Sequence, residues 1–198
     1  MIRPAQAADV SPMLDIYAPY VRETTITFEY AVPSPEDFRA RFSRITRKFP
    51  WLVWEEAGEV LGYAYASAPF ERAAYAWCAE PSIYLRQDAR GRGIGKKLYA
   101  ALEALLSQMG YQVSFAIITE ENKASLAFHH ALGYEKCAEM VKCGLKFGRW
   151  LDVHWLEKRL NPVEIPRNFP IAWSEFGKDV QKISNILGKM SLSELEKV

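Results

Sequence analysis

Residues 80–95, EPSIYLRQDARGRGIG, place the narrowest limits on how this 198-residue chain can fold. Ile83, Tyr84 and Leu85 are strand formers, and Gln87, Asp88 and Ala89 make a turn. From Lys96 onward, Leu98, Leu102, Leu105 and Met109 recur on one helical face. The stretch therefore reads as a strand that passes through a glycine-rich turn into a helix. Such a turn leaves backbone N–H groups unpaired at the positive end of the helix dipole, a ready site for a phosphate or pyrophosphate. Gly91, Gly93 and Gly95 let an anion come close, and Arg90 and Arg92 add charge. The dinucleotide fingerprint G-x-G-x-x-G is absent, because the glycines alternate and no acidic residue ends a following strand. The nucleotide-hydrolase loop G-x-x-x-x-G-K-S/T is absent as well.

Glu80 is the carboxylate to watch. It lies in Trp77-Cys78-Ala79-Glu80-Pro81, where a strand is expected but Pro81 cannot donate to a ladder. The strand should be bulged or splayed there, opening a gap in the sheet beside the anion loop. A carboxylate among Trp77, Cys78 and Ile83 should have a raised pKa, which suits a general base near neutral pH. A solvated glutamate at a strand end is the plainer alternative.

The rest of the chain alternates helices and strands. Met1–Pro4 is a short strand, and Asp9 caps a helix running to about Arg22. Glu23–Tyr30 is looped. Ser34, Pro35 and Asp37 start a helix that ends near Phe49-Pro50. Trp51–Glu56 and Val60–Ser67 are strands joined by a turn, and Phe70–Ala74 is a loop. Tyr111–Ile118 is a buried strand, and Glu121–Leu132 is a helix closed by Gly133. Tyr134–Cys143 and Arg149–Leu160 form a hairpin around residues 144–148. The pattern predicts an α+β domain with a mixed sheet.

Composition excludes several classes. With 49% hydrophobic and 25% charged residues the chain is an ordinary folded one, and a net charge of +1 argues against nucleic-acid or membrane-surface partners. There is no apolar run long enough for a signal peptide or a membrane span. Cys78, Cys137 and Cys143 lack metal-type spacing and suit reduced thiols in the cytoplasm; no metal is expected.

Arg90-Gly91-Arg92-Gly93-Ile94-Gly95 after a strand resembles the pyrophosphate loop of the GNAT acetyltransferases, which bind acetyl-CoA. More specifically, the chain is similar to their phosphinothricin / methionine sulfoximine N-acetyltransferase branch. The matching segments begin with Ile2-Arg3-Pro4-Ala5 and Asp9, Thr24-Thr25-Ile26-Thr27-Phe28-Glu29 and Gly62-Tyr63-Ala64. They continue through Glu80-x-Ser82-Ile83-Tyr84-Leu85, the arginine-glycine loop with Asp88-Ala89, and Glu121-Asn122-x-x-Ser125 with His129. Leu132-Gly133-Tyr134 and the distinctive Lys146-Phe147-Gly148-Arg149-Trp150-Leu151-Asp152 close the match, which covers residues 1–160.

The resemblance implies a GNAT fold, a mixed central sheet with a splayed strand flanked by helices. Acetyl-CoA would lie along Ser82–Leu85, with its pyrophosphate on residues 90–95 and a second contact at Asn122 and Ser125. Glu80 would take the proton of the acceptor ammonium, and a backbone N–H near Leu85 would stabilise the oxyanion. His129 would protonate the leaving thiolate, the alternative being a structural helix histidine. Phe28, Glu29, Phe70, Arg72 and Ala79 would line the acceptor pocket with Glu80. This branch often shows an aromatic residue and arginine before the central strand. Here the sequence is Phe70-Glu71-Arg72, so Arg72 takes that role after a one-residue shift or the specificity differs. A homodimer is implied by the resemblance alone.

The implied function is acetylation of the amino group of a small glutamate- or methionine-like amino acid. Two alternatives stay open: a protein N-acetyltransferase of the same fold, and a non-catalytic acyl-CoA-binding module. Residues 161–198 lie outside the match. They read as a proline-containing linker and a short amphipathic helix carrying Val180, Ile183, Ile186, Leu187 and Met190, which should dock on its own domain or on a second subunit.

Overall fold

The computed structural model describes residues 1–191, and within them seven strands form one sheet. These are Ile2–Pro4 (β1), Trp51–Glu56 (β2), Glu59–Ser67 (β3), Cys78–Leu85 (β4), Val113–Thr119 (β5), Glu135–Lys146 (β6) and Arg149–Arg159 (β7). Their spatial order is β1-β2-β3-β4-β5-β7-β6. The helices are Val10–Glu23 (α1), Pro35–Ile45 (α2), Ile94–Met109 (α3), Lys123–Ala131 (α4), Trp173–Phe176 (α5) and Val180–Ser191 (α6). All neighbouring strands are antiparallel except β4 and β5, so the sheet is mixed.

That parallel pair is also where the sheet opens. β4 and β5 are joined only at Cys78↔Val113 and Ala79↔Ser114. Beyond Ala79, β4 stays on β3 as far as Leu85, while β5 stays on β7 as far as Thr119. The separation begins at Glu80-Pro81, as expected from the proline.

The two faces of the sheet are covered differently. Tyr84 of β4 meets Tyr17 and Tyr20 of α1 at ring distances of 4.8 and 5.1 Å, and Trp51 packs on Phe38 and Phe42 of α2. Successive strand residues alternate between faces. Ile83 and Leu85 therefore face the other way, toward Gly95 of α3. α4 lies beside α3, with Tyr99 against Phe128 and His129.

Local sequence explains most element ends. The Ser34 hydroxyl accepts from the Asp37 N–H at 3.1 Å, and Pro35 opens α2. That helix stops at Ile45, four residues short of the expected Phe49. The Tyr134–Leu160 hairpin has a tighter turn than expected. β6 runs on to Lys146, and Phe147-Gly148 alone make the turn, at φ 51° and 74°. A two-residue turn with both φ positive matches the twist of the flanking strands. The missing length is absorbed by a bulge between Met140 and Gly144, where Lys142 takes φ 48°. The later helix starts at Lys123, because the Asn122 side chain caps it by accepting from the Ser125 N–H at 3.2 Å.

The C-terminal extension packs on its own domain. Ile171 N–H donates to Met109 C=O, and Trp173 N–H to Lys48 C=O. Phe169 stacks on Trp77 at 4.9 Å. Phe176, Ile183 and Leu187 are buried in the main core, where α6 meets α3. The Met190 side chain and residues 192–198, part of the expected appendage, lie outside the described residues.

Burial of that depth makes α6 part of the folded unit. Ile183→Ala should lower the unfolding free energy by about 2–5 kcal/mol in urea titration. A change confined to a few tenths of a kcal/mol would mean that the helix is only loosely attached.

Candidate functional site

The parting of β4 from β5 leaves a cleft of about 470 Å³. Glu80–Leu85 form one wall and Ala116–Ile118 the other, with the glycine loop at one end and α4 behind. Of the residues expected to hold a cofactor, Ser82, Ile83, Tyr84, Leu85, Arg90, Gly91, Gly93, Gly95, Asn122 and Ser125 all line this cavity. Two do not. Arg92 turns away to an ion pair with Glu56 at 2.6 Å, and the Ile94 side chain is buried in the core.

Strand alternation decides which backbone groups face the gap. Arg86 N–H donates to Leu61 C=O at 2.9 Å, so the N–H groups of Tyr84, Ser82 and Glu80 face β3. Leu85 and Ile83 turn theirs toward the gap. Pro81 falls on that same row, where the missing N–H breaks no bond to β3. The expectation for Leu85 is corrected here. Its N–H donates to the Tyr20 hydroxyl at 3.1 Å, and that hydroxyl donates back to the Leu85 C=O at 2.6 Å. The gap-facing donor nearer Glu80 is Ile83 N–H.

The loop is shaped for an anion. Gly91 and Gly93 adopt φ of 73° and 75°, a conformation costly for other residues, with open space where a Cβ would stand. Gly93 caps α3 without a side-chain acceptor, so the first-turn N–H groups are left for a ligand or water. Gly95 serves packing instead, since a Cβ there would lie 3.4 Å from Leu85 Cδ1. The Arg90 guanidinium stands 5.1 Å over the Tyr20 ring at the cleft edge. This combination of open glycines, uncapped helix start and free-standing arginine fits a pyrophosphate.

Glu80 lines the cleft, and burial alone pushes its carboxyl above the usual range. Its surroundings differ from those expected, because Ile83 lies on the opposite face. On its own face Glu80 is flanked by Ser82, by Ser67 across the β3 ladder, and by Phe115 beyond the last β4–β5 pair.

His129 is placed against the expectation of a general acid. It lines the cleft but is 4% exposed, and both ring nitrogens have partners. Nδ1 is 2.8 Å from the Ser125 carbonyl, which can only accept, so Nδ1 carries the proton. Nε2 is 2.9 Å from the Tyr99 hydroxyl and accepts from it. Burial lowers the pKa and outweighs the Ser125 bond, which raises it, leaving a neutral ring with no proton directed at the gap. Behind it, the Tyr134 hydroxyl bonds Ser114 at 2.6 Å and Glu103 at 2.8 Å, and Glu103 bonds Lys158 at 2.7 Å. His129 belongs to that buried polar network.

The expected acceptor residues separate into two groups on the α1/α2 face. Phe70 joins an aromatic cluster with Tyr75, Phe115 and Trp155, at ring distances of 4.5, 5.9 and 5.6 Å. Glu29 lies on the other side, paired with Arg41 at 2.5 Å. Phe28 packs over Gly144, where a Cβ would stand 2.2 Å from its ring. Two of the expected residues stand apart from both groups. Ala79 is fully buried and points to the α3 face, and Arg72 is exposed on the β3–β4 loop with no ion pair among the described residues.

Sequence reasoning missed four residues here: Tyr20, Arg41, Tyr65 and Lys146. Lys146 is buried, and its Nζ donates to the carbonyls of Val21 and Thr27 at 2.9 and 2.7 Å, fastening the 24–30 loop to the hairpin. Tyr17 adds a 2.7 Å bond to Thr27, and the Tyr30 hydroxyl donates to Leu145 C=O. Only the Lys-Phe-Gly-Arg-Trp run gave a signal, and it marked resemblance without a role.

With this geometry in view, known proteins can be compared. The family described as acetyltransferase (GNAT) domain matches residues 2–155. An L-methionine sulfoximine/L-methionine sulfone acetyltransferase of Pseudomonas aeruginosa is 38% identical over 165 residues, 81% of this chain and 95% of its own. A phosphinothricin N-acetyltransferase of Streptomyces viridochromogenes is 32% identical over 166 residues, covering 84% and 91%. A GNAT superfamily phosphinothricin acetyltransferase from Sinorhizobium meliloti, solved in complex with AcCoA, superposes with a TM-score of 0.81 at 37% identity. That match covers 85% of this chain and 94% of the other.

The two loop arginines should behave differently. Arg90→Glu should weaken CoA binding in calorimetry by about tenfold or more, as reversal of a charge facing a pyrophosphate does. Arg92→Ala, which removes a contact to Glu56, should change it by less than about threefold. Equal losses would remove the distinction.

Proposed function

Because the chain belongs to the GNAT family and is an N-acetyltransferase, we propose that it moves the acetyl group of acetyl-CoA to the amino group of a small amino acid of the methionine sulfoximine or phosphinothricin type. The observation that carries this reading is the meeting, at one break in the sheet, of an anion-binding loop, a gap open to backbone hydrogen bonding and a half-buried carboxylate. The relatives' substrates support the acceptor class.

In this reading the pyrophosphate rests on the glycine loop and Arg90, and the thioester reaches into the gap at Ile83. Glu80 accepts a proton from the acceptor's ammonium, freeing the nitrogen lone pair. The amine attacks the thioester carbonyl carbon, a C–N bond forms, and the carbonyl oxygen becomes an oxyanion near Ile83 N–H. A fixed donor there acts on charge that exists only in the transition state. Collapse breaks the C–S bond, and the proton still carried by the attacking nitrogen passes, directly or through water, to the departing sulfur, so that the amide and the CoA thiol are released. A thiol with a pKa near the ordinary value of about 8.5 leaves without a dedicated acid, which suits a neutral, internally bonded His129.

Turnover should appear with methionine sulfoximine, methionine sulfone or phosphinothricin in a CoA-release assay that also includes a polyamine and a short peptide. Turnover with the peptide alone would replace this reading by a protein N-acetyltransferase. Acetyl-CoA binding without any acceptor would favour the non-catalytic module.

Glu80→Gln supplies a second test. The base must be ionised, so kcat/KM should rise with pH through a midpoint above the ordinary 4.5. The variant should lose that limb and about 100-fold or more of the rate. Stability should move the opposite way. The folded carboxyl holds its proton more tightly than the unfolded one, so its contribution to stability is lost as pH rises through the raised pKa. Glu80→Gln should therefore melt above the wild type at neutral pH and converge with it near about pH 4. Full activity in the variant would remove Glu80 as the base.

A further inference from the structure

The acceptor class proposed above carries a carboxylate beside its amine, and Glu80 can answer only the amine. Basic side chains near the α1/α2 face of the break include Arg159 on β7, which pairs with Val113 where the break begins, and three others. Arg72 is exposed on the β3–β4 loop, away from any ion pair among the described residues. Lys146 is buried with its Nζ on two backbone carbonyls. Arg41, on α2, is partly buried, with its side chain 26% exposed.

Arg41 and Arg3 are equally accessible but differ in how their donors are filled. Arg3 has Asp9 on both terminal nitrogens and Glu55 on Nε. Arg41 makes one carboxylate contact, from Nη2 to Glu29, and interacts with the Tyr17 hydroxyl. A guanidinium has five N–H donors, so a fork remains for a second carboxylate. Glu29 takes one of these donors, and the guanidinium itself stays charged at any pH the protein meets.

Tyr65 connects this arginine to the reacting end of the site. It stands opposite Ser82 in the β3–β4 ladder, on the face that also carries Glu80, and its hydroxyl interacts with Ser82. Arg41 reaches the same layer from α2, its guanidinium 5.7 Å over the Phe38 ring, which meets Trp51 at 6.0 Å, and Trp51 stacks on Tyr65 at 4.1 Å. Burial pushes the Tyr65 pKa up to about 12, so the phenol is neutral. Arg41, Tyr65 and Glu80 thus belong to one face of the sheet.

We propose that Arg41 is the specificity-determining cation of the acceptor pocket, with the free carboxylate of the amino acid on its unfilled donors while Glu80 faces the ammonium. This rests on the amino-acid reading of the acceptor. Arg41 then replaces the Arg72 expected from the resemblance, and the Glu29–Arg41 pair becomes part of the pocket.

The test compares methionine sulfone with its carboxamide in the wild type and in Arg41→Gln, Arg72→Gln and Glu29→Gln. The wild type should prefer the carboxylate. Arg41→Gln should raise KM for the carboxylate by about 10- to 100-fold, the range for a lost charge-assisted pair, and leave the carboxamide little changed. The ratio within one variant is independent of how much enzyme is folded. Glu29→Gln should keep the preference, since Arg41 remains. Three results would overturn the proposal: a preference that survives in Arg41→Gln, one that is lost in Arg72→Gln instead, or a Glu29→Gln enzyme that matches Arg41→Gln. The last would mean that the ion pair only anchors the loop. In all three the amino-acid reading stands, whereas a wild type that acetylates a peptide but neither sulfone would remove both.

Discussion

When two parallel strands part after a single pair of ladder contacts, each is left with a row of backbone groups facing empty space. Such groups are expensive to leave without hydrogen bonds, so an open seam inside a sheet persists only if something fills it or water reaches it. Here the seam begins at Ala79–Ser114, and its β4 edge is handled in three ways. Pro81 has no N–H to leave unpaired. The Tyr20 hydroxyl satisfies both the N–H and the C=O of Leu85. Between them, Ile83 keeps its groups turned to the cleft. The seam is thus blunted at both ends and open in the middle, where a strand-like ligand arm would complete the ladder.

The other parts of the cleft follow from where the seam ends. β4 turns directly into the glycine loop, so the anion site is fixed relative to the seam by covalent connection. Gly95 lets α3 sit against Leu85 and holds that connection tight. Glu80 occupies the opposite end, at the first residue beyond the last pair, where it is half-buried and, among the described residues, has no hydrogen-bond partner to favour its charged form. The residue that makes the seam and the carboxylate proposed to use it are neighbours in sequence.

This explains how much was legible in advance. The loop, the break at Pro81 and the helical start at Ser34 rest on interactions within a dozen residues, and sequence carries those. Local reading stops short at Arg92, and at His129 it leaves a general acid and a structural histidine both open. Their residue types and spacing were right, but Arg92 finds Glu56 on another strand and His129 finds Tyr99 on another helix. No local pattern reports such partners. The β6–β7 turn was drawn too long because the glycine at 144 was read as a loop residue, whereas it clears room for Phe28 under the opposite loop.

The acceptor side lies almost wholly beyond local reading. Its aromatic group draws on the β3–β4 loop, β5 and β7; its charged group draws on α1, α2, β3 and the 24–30 loop, which Lys146 fastens from the far hairpin. No two of these residues need each other at a fixed sequence spacing. A change in one alters pocket shape or charge without touching the seam, the loop or Glu80. Physical separation of this kind lets one chemistry be kept while the accepted amine changes. The family resemblance therefore identifies the reaction rather than the substrate, and the Glu29–Arg41 pair is the feature of this chain on which the proposed acceptor preference turns.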